Sequence, residues 1–294
     1  MRLCFALLAM PFVFTLGVAH AASDTEQKKP RASDVLKAPK RHASANPITD
    51  RFALRVLWFP ASIDTQLRLD TQDGTPGTAL VAEQDLGMAD TKQEGRAEMT
   101  IRLRERNRLR VDYFKLSRMG DKIITTPINF GDNTFNINDR AQTQLEWRNL
   151  TVTYSRSFIQ TQRFEVGVGL GVSLLEARAR GDVAARNIHE HQEAVGAFPT
   201  LEVDGTWAIS KRWAFTARGQ RYTANVNKFR GALADYHTDI QYRWRENFAF
   251  GLGYTKMHTL VDVGGSDSGN GTNDLTGRFD QKIDGPEFFI RASF

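Results

Sequence analysis

The sequence predicts an all-β chain: a transmembrane antiparallel up-and-down β-barrel of about twelve strands, or about ten in an alternative count. Three observations predict it. Segments of alternating apolar and polar residues recur from Arg51 onward, and a period of two marks a strand with unlike faces. Short and long connections alternate between these segments, as in a barrel that turns tightly at one end only. The closing stretch, residues 286–294, puts Phe288, Ile290, Ala292 and Phe294 on one face and Glu287, Arg291 and Ser293 on the other, with Phe289 as the exception.

Two segments of different character precede the strands. Arg2, the apolar run of residues 5–18 and Ala19-His20-Ala21 read as a secretory leader, residues 1–21, cleaved after Ala21. Residues 22–50 are a basic tail (Lys28, Lys29, Lys37, Lys40, Arg41) too poor in apolar side chains to bury a core. Its plain reading is solvated chain, and its charge also suits phosphate or peptidoglycan. The barrel is expected over residues 51–294. Cys4, the single cysteine, falls within the leader, so no disulfide scaffold is available to the exported chain. A closed barrel, with every strand hydrogen-bonded on both edges, is another route to stability. No later apolar run is long enough for a transmembrane helix. A mean hydropathy of -0.42 is compatible with barrel strands, whose alternation averages out. The formal charge of +5 is modest, and an exported address excludes nucleic acid as a partner.

The elements follow in order. Residues 52–59, 63–71 and 78–86 each read as a strand, with Pro60 interrupting the first pair. Glu105-Arg106-Asn107 joins 96–104 to 108–117. In residues 139–158 the apolar parity slips between Trp147 and Leu150, which predicts a bulge or a short turn. Gln160-Thr161-Gln162 leads into 164–175, where Phe164, Val166, Val168, Leu170, Val172 and Leu174 oppose Glu165, Gly167, Gly169, Gly171 and Ser173. Ser210-Lys211 joins 195–209 to 213–224, and Arg245-Glu246-Asn247 joins 232–244 to 248–261. Long connections fall at 119–138, 180–193 and 264–277. Merging the first two strands, or moving 78–86 into a loop, lowers the count from twelve to about ten.

Parity alone leaves open which face is inside, since a soluble sandwich also alternates. Aromatic residues beside the short turns (Phe158, Phe164, Trp207, Trp213, Trp244, Phe248, Phe294) favour an apolar outer face with a girdle at the lipid boundary. Gly-rich opposite faces suit a crowded lumen. The closing stretch resembles the C-terminal signature of Gram-negative outer-membrane β-barrel proteins. That resemblance implies that Phe288, Ile290 and Phe294 are read by the barrel assembly machinery. It also implies an outer-membrane location, with tail and C-terminus periplasmic. Gly131-Asp132-Asn133-Thr134-Phe135 and Asp85-Leu86-Gly87 resemble segments of uncharacterised proteobacterial barrels and bring no activity.

Candidate sites follow from the facing. The expected lumen charges include Arg102, Arg104, Arg110, Asp112, Glu202, Asp204, Arg218, Arg243 and Arg291, together with Arg68, Asp70 and Glu287. Both signs are present, which fits a narrow pore or a salt-bridged plug alike. Asp235, His237 and Asp239 share the lumen parity, and His237 is a candidate general base with Asp235 or Asp239 orienting it. The plainer reading makes them part of the ion-paired lining. His189-Glu190-His191 lacks further ligands by spacing, so no metal and no cofactor is expected. Lys115, Arg178, Arg221, Arg230, Lys256 and Arg278 fall on the outward register near the long-loop end, a candidate rim for lipopolysaccharide phosphates. Three functions remain open: an envelope-structural or passive porin-like barrel, a barrel enzyme acting on envelope lipids, and a soluble periplasmic barrel binding an apolar ligand. Oligomeric state is not legible.

Overall fold

The computed structural model describes residues 47–70, 75–130, 133–183, 188–226, 229–263 and 277–294. The expected leader, the expected tail as far as residue 46 and nearly all of the expected long connection 264–277 lie outside them. In chain order the elements are β1 (Phe52–Leu69), β2 (Leu80–Val81), α1 (Ala82–Asp85), β3 (Thr91–Arg104), β4 (Asn107–Ile123), β5 (Ile128–Phe130), β6 (Asn133–Phe135) and β7 (Arg140–Gln160). Then come β8 (Phe164–Val183), β9 (Ile188–Ala208), β10 (Trp213–Val226), β11 (Phe229–Arg245), β12 (Phe248–Val263) and β13 (Gly277–Ser293). Ten long antiparallel strands form a closed barrel, because β13 pairs with β1, while β2 lies outside the ring and β5 pairs only with β6. The lower of the two expected counts therefore holds.

Two changes in the N-terminal third account for that count. First, β1 runs straight through Pro60. Pro60 faces Gln93 on the β3 side. On the β13 side the ladder pairs Trp58 with Phe288 and Ser62 with Asp284, which sets Pro60 opposite Pro286. Neither proline has an N–H to donate, so each occupies the position where the other's missing bond is harmless. Gly285 lies against the Pro60 carbonyl so closely that a Cβ there would clash with it. Second, residues 78–86 form no barrel strand. Leu80 and Val81 pair with Leu67 and Gln66 beyond the end of β3. The chain then makes one helical turn and reverses at Gly87, whose φ of 68° favours glycine. This segment caps the long-loop end of the barrel. Glu83 holds it there, accepting from Arg118 Nη2 at 2.6 Å and from the Thr65 amide at 3.1 Å.

The expected bulge near Trp147 is absent. β7 pairs with β4 in one register from Asn107 opposite Arg156 to Ile123 opposite Arg140. Its irregularity lies lower, at Ser157–Ile159, against β8. What reads as a slip is an inversion of polarity along a regular strand. Near the short turns Asn149, Thr151, Thr153 and Ser155 point inward while Leu150, Val152 and Tyr154 point outward. Higher up, Leu145 and Trp147 point inward and Glu146 and Arg148 outward. The same reversal occurs on β1, where inward Arg55 gives way to inward Phe59, Ala61 and Ile63, and on β8, where outward Leu174 gives way to Glu176 and Arg178. The barrel thus has two storeys. One is apolar outside and charged inside; the other is polar outside and apolar inside, with Phe59, Phe114, Leu116, Trp147, Leu175, Tyr222, Leu233, Met257 and Ile283 in its core. Each storey places apolar surface where water is absent. On the outer wall of the upper storey Arg140 forks onto Asp121 and holds that exposed carboxyl below the usual carboxylate range.

Candidate functional site: the lumen charge network and the outer belt

The inward positions of the lower storey converge on one ion-paired network. Arg96 lies near its centre, donating through Nε to both Asp112 oxygens at 2.8 and 2.9 Å and through Nη2 to Asp235 at 2.6 Å. Arg218 reaches Glu98 at 2.5 Å and Asp112 at 3.6 Å. Arg110 bonds Glu202 at 2.5 Å, and Arg108 bonds Asp204 at 2.8 Å. Arg102 forks onto Glu165, both contacts at 2.9 Å. Arg55 joins Asp239 at 2.8 Å and Glu287 at 2.5 Å, and its guanidinium lies 3.7 Å from the centre of the Phe289 ring. Nearest the short turns, Arg243 and Arg291 share Asp50, at 2.5 and 2.9 Å. Cation and anion alternate through the interior, so each buried charge meets a partner within hydrogen-bonding distance.

Most expected lumen residues take part. Arg104 does not: the β3–β4 register shifts between Arg102 and Arg104, and Arg104 ends exposed at the turn. Arg68 also faces outward, because upper β1 belongs to the inverted storey; it pairs with Asp70 at 2.9 Å. Sequence reading placed Glu165 on the polar face of its strand and missed Asp50, Arg55, Arg96, Glu98 and Arg108. All of these but Asp50 lie on strands at inward parity, so extending the alternation one step at a time would have found those four. The exception Phe289 is an inward residue, packed over Gly251 where a Cβ would strike its ring.

His237 is 3% exposed. Its Nε2 lies 3.0 Å from Asp235 and its Nδ1 3.2 Å from Glu287, with the Thr255 hydroxyl at 3.5 Å. Asp239, the other expected partner, bonds Arg55 instead. An imidazolium has one N–H for each of the two carboxylates, whereas a neutral ring has only one to give. A general base must reach a substrate proton, and His237 is walled in by its own partners. Its geometry is that of a connector in the network. Among the described residues no group of His, Cys, Asp and Glu is arranged to hold a metal. The side chains of His189 and His191 lie outside the described residues.

Three layers lie along the lumen. At the short-turn end a polar cavity of about 70 Å³ is bordered by Asp50, Arg102, Thr206, Gln241 and Arg291. The charge network follows. Above it lies the buried apolar layer, in which Trp147 stacks on Phe279 at 5.4 Å, Phe198 stacks on Tyr222 at 4.8 Å, and Phe59 lies beside Phe114 at 6.0 Å.

The outer wall of the lower storey is greasy. Leu170 is 71% exposed, Ile290 65% and Trp244 59%, among an array of outward Val, Leu, Ile, Phe, Tyr and Trp residues. Aromatic residues gather at the short-turn rim, where Phe52 meets Phe294 at 6.3 Å and Trp213 meets Tyr242 at 5.0 Å. Exposed apolar surface of this extent around a charged interior is the reverse of a water-soluble barrel and suits a hydrocarbon surround. The chain is a membrane-spanning β-barrel. No family model matches it, and no curated protein matches it. Solved structures similar to it include the outer membrane protease OmpT from Escherichia coli (TM-score 0.48, 8% identity, 85% of this chain and 98% of that one). They also include the outer membrane protein OprG from Pseudomonas aeruginosa (TM-score 0.35, 11% identity, 83% and 95%) and Neisserial surface protein A (TM-score 0.30, 11% identity, 83% and 97%). In the terminal strand Phe288, Ile290 and Phe294 all point outward.

Of the proposed rim residues, Lys115, Arg221, Lys256 and Arg278 are outward and exposed. Arg178 is outward and half-buried, paired with Glu176 at 2.5 Å. Arg278 lies 3.8 Å from both Asp262 and Asp280. The side chain of Arg230 lies outside the described residues.

Proposed function

We propose that this chain is an integral outer-membrane β-barrel with a sealed lumen. It serves the envelope as a structural element that carries a polar upper storey and loops above the membrane. The observation behind the reading is that two buried layers succeed one another along the lumen, an ion-paired layer and an apolar, aromatic-rich layer directly above it. A porin-like passage needs a continuous polar path, and a layer of buried apolar side chains above the charges argues against one. The apolar belt speaks equally against a soluble periplasmic barrel, and the enclosure of His237 against an enzyme built on it. In this reading the short turns and the C-terminal strand face the periplasm, as does the basic tail, and the long loops face outward. The test is single-channel recording after refolding and insertion into planar bilayers. No discrete conductance steps are expected in neutral buffer, and steady porin-sized steps would overturn the reading.

The same orientation sets Lys115, Arg221 and Lys256 at the level where strands leave the belt on the outer side. Their outward, exposed placement supports contact with lipopolysaccharide phosphates through charge-assisted hydrogen bonds. Reversing these three charges together is expected to sensitise the protein's outer-membrane assembly to chelation of divalent ions. Unchanged assembly and unchanged chelator sensitivity would remove the contact from the account.

A further inference from the structure

We propose that the membrane face of the barrel holds an anionic phospholipid at the short-turn end, its acyl chain in an apolar groove and its phosphate on Arg212 and Arg245. The proposal rests on the membrane-spanning reading and on a periplasmic short-turn end. The groove encloses about 630 Å³ on the outer wall, a size typical of small-molecule sites. One wall is the Trp58–Phe288 pair, with rings 5.8 Å apart. The other is a row in which Tyr242 stands 5.0 Å from Trp213 and 5.5 Å from Phe250. Leu252 lies on the floor between them. Large rings thus rise on both sides of smaller aliphatic residues, and the concavity runs along the belt, where only hydrocarbon is available to fill it.

Charge gives the groove a polarity. Arg212, in the β9–β10 turn at its lower edge, donates through Nη1 to the Tyr242 hydroxyl at 2.9 Å. Arg245, the last residue of β11, lies over the Trp244 ring with its guanidinium carbon 4.7 Å from the centre. Both arginines are exposed, and among the described residues neither has a carboxylate within ion-pairing distance. This sets them apart from the lumen arginines, which all meet acids. The Tyr242 hydroxyl anchors Arg212 and the Trp244 ring anchors Arg245 at the interface, and both keep N–H groups turned to no acid. A phosphodiester accepts such a fork bidentately, and its chains would follow the groove upward. A zwitterionic lipid offers the same phosphate but no net charge, so the site should favour the anionic headgroup.

The full chain, refolded in detergent micelles with equimolar phosphatidylglycerol and phosphatidylethanolamine, is released in native mass spectrometry and its bound lipids are counted. At about fivefold for each arginine near the surface, phosphatidylglycerol should be retained roughly 25-fold over phosphatidylethanolamine. The R212Q/R245Q double variant should bring that ratio close to one. Leu252→Trp, which fills the groove, should lower retention of both lipids and leave the ratio in place. Equal retention by the wild type, an unchanged ratio in the double variant, or full retention by Leu252→Trp would overturn the site and leave the membrane reading standing. A refolded chain that fails to insert into vesicles would overturn both.

Discussion

Replacing Arg96 by alanine is expected to cost about 3–5 kcal/mol of barrel stability, the range for breaking a buried ion pair from one side. Arg96 is 4% exposed and joins two carboxylates on different strands, Asp112 on β4 and Asp235 on β11. Those acids are each 2% exposed. Without Arg96, Asp112 keeps only the longer contact to Arg218 at 3.6 Å, and Asp235 keeps only His237. Two carboxylates then remain inside a barrel with too little neutralising charge, and the desolvation already paid is not returned. Urea unfolding of the refolded protein in micelles reads the effect as a lower midpoint at unchanged slope. Arg140→Ala breaks an ion pair of similar length on the exposed upper wall and should move the midpoint far less. Equal effects from the two substitutions would mean that the lumen is wet and the network no more than a surface lining.

Leu170→Arg is expected to destabilise the protein in lipid vesicles by about 2–4 kcal/mol, the cost of an arginine near the bilayer midplane. Leu170 points outward from the middle of the longest apolar run, flanked on its face by Val168 and Val172. The same change at Val195 should cost no more than about 1 kcal/mol. Val195 is 73% exposed, but it stands opposite Glu176, where the outer wall turns polar. In a water-soluble barrel both positions would tolerate arginine equally, since both are open to solvent. The difference between two equally exposed sites therefore measures the depth of the hydrocarbon, through unfolding free energies in vesicles of one composition. A difference near zero would contradict the membrane-spanning reading.

Much of the architecture is legible in the order of residues, for a local reason. Alternation has a period of two, and short turns carry their own chemistry, so from β8 to β13 each face and each tight connection can be read strand by strand. The terminal strand shows its two faces in the same way, even with Phe289 out of pattern. Reading fails where the environment changes along a strand. In β1 and β7 the inward face passes from polar to apolar as the outer medium passes from hydrocarbon to water, and a regular strand then looks broken. Pro60 looks like a strand break too, until Pro286 is found opposite it across the seam that closes the barrel.

The lumen charges divide along the same line. Sequence parity assigns Arg102, Arg110, Asp112, Glu202, Asp204, Arg218, Arg243 and Arg291 to one interior, because facing is a property of each strand alone. Which charge meets which is decided only when the barrel closes. Arg96 reaches an acid 139 positions away and Arg55 one 232 positions away. No local pattern encodes such contacts; they follow from ring closure and side-chain length, and they convert a face of mixed charges into a paired network.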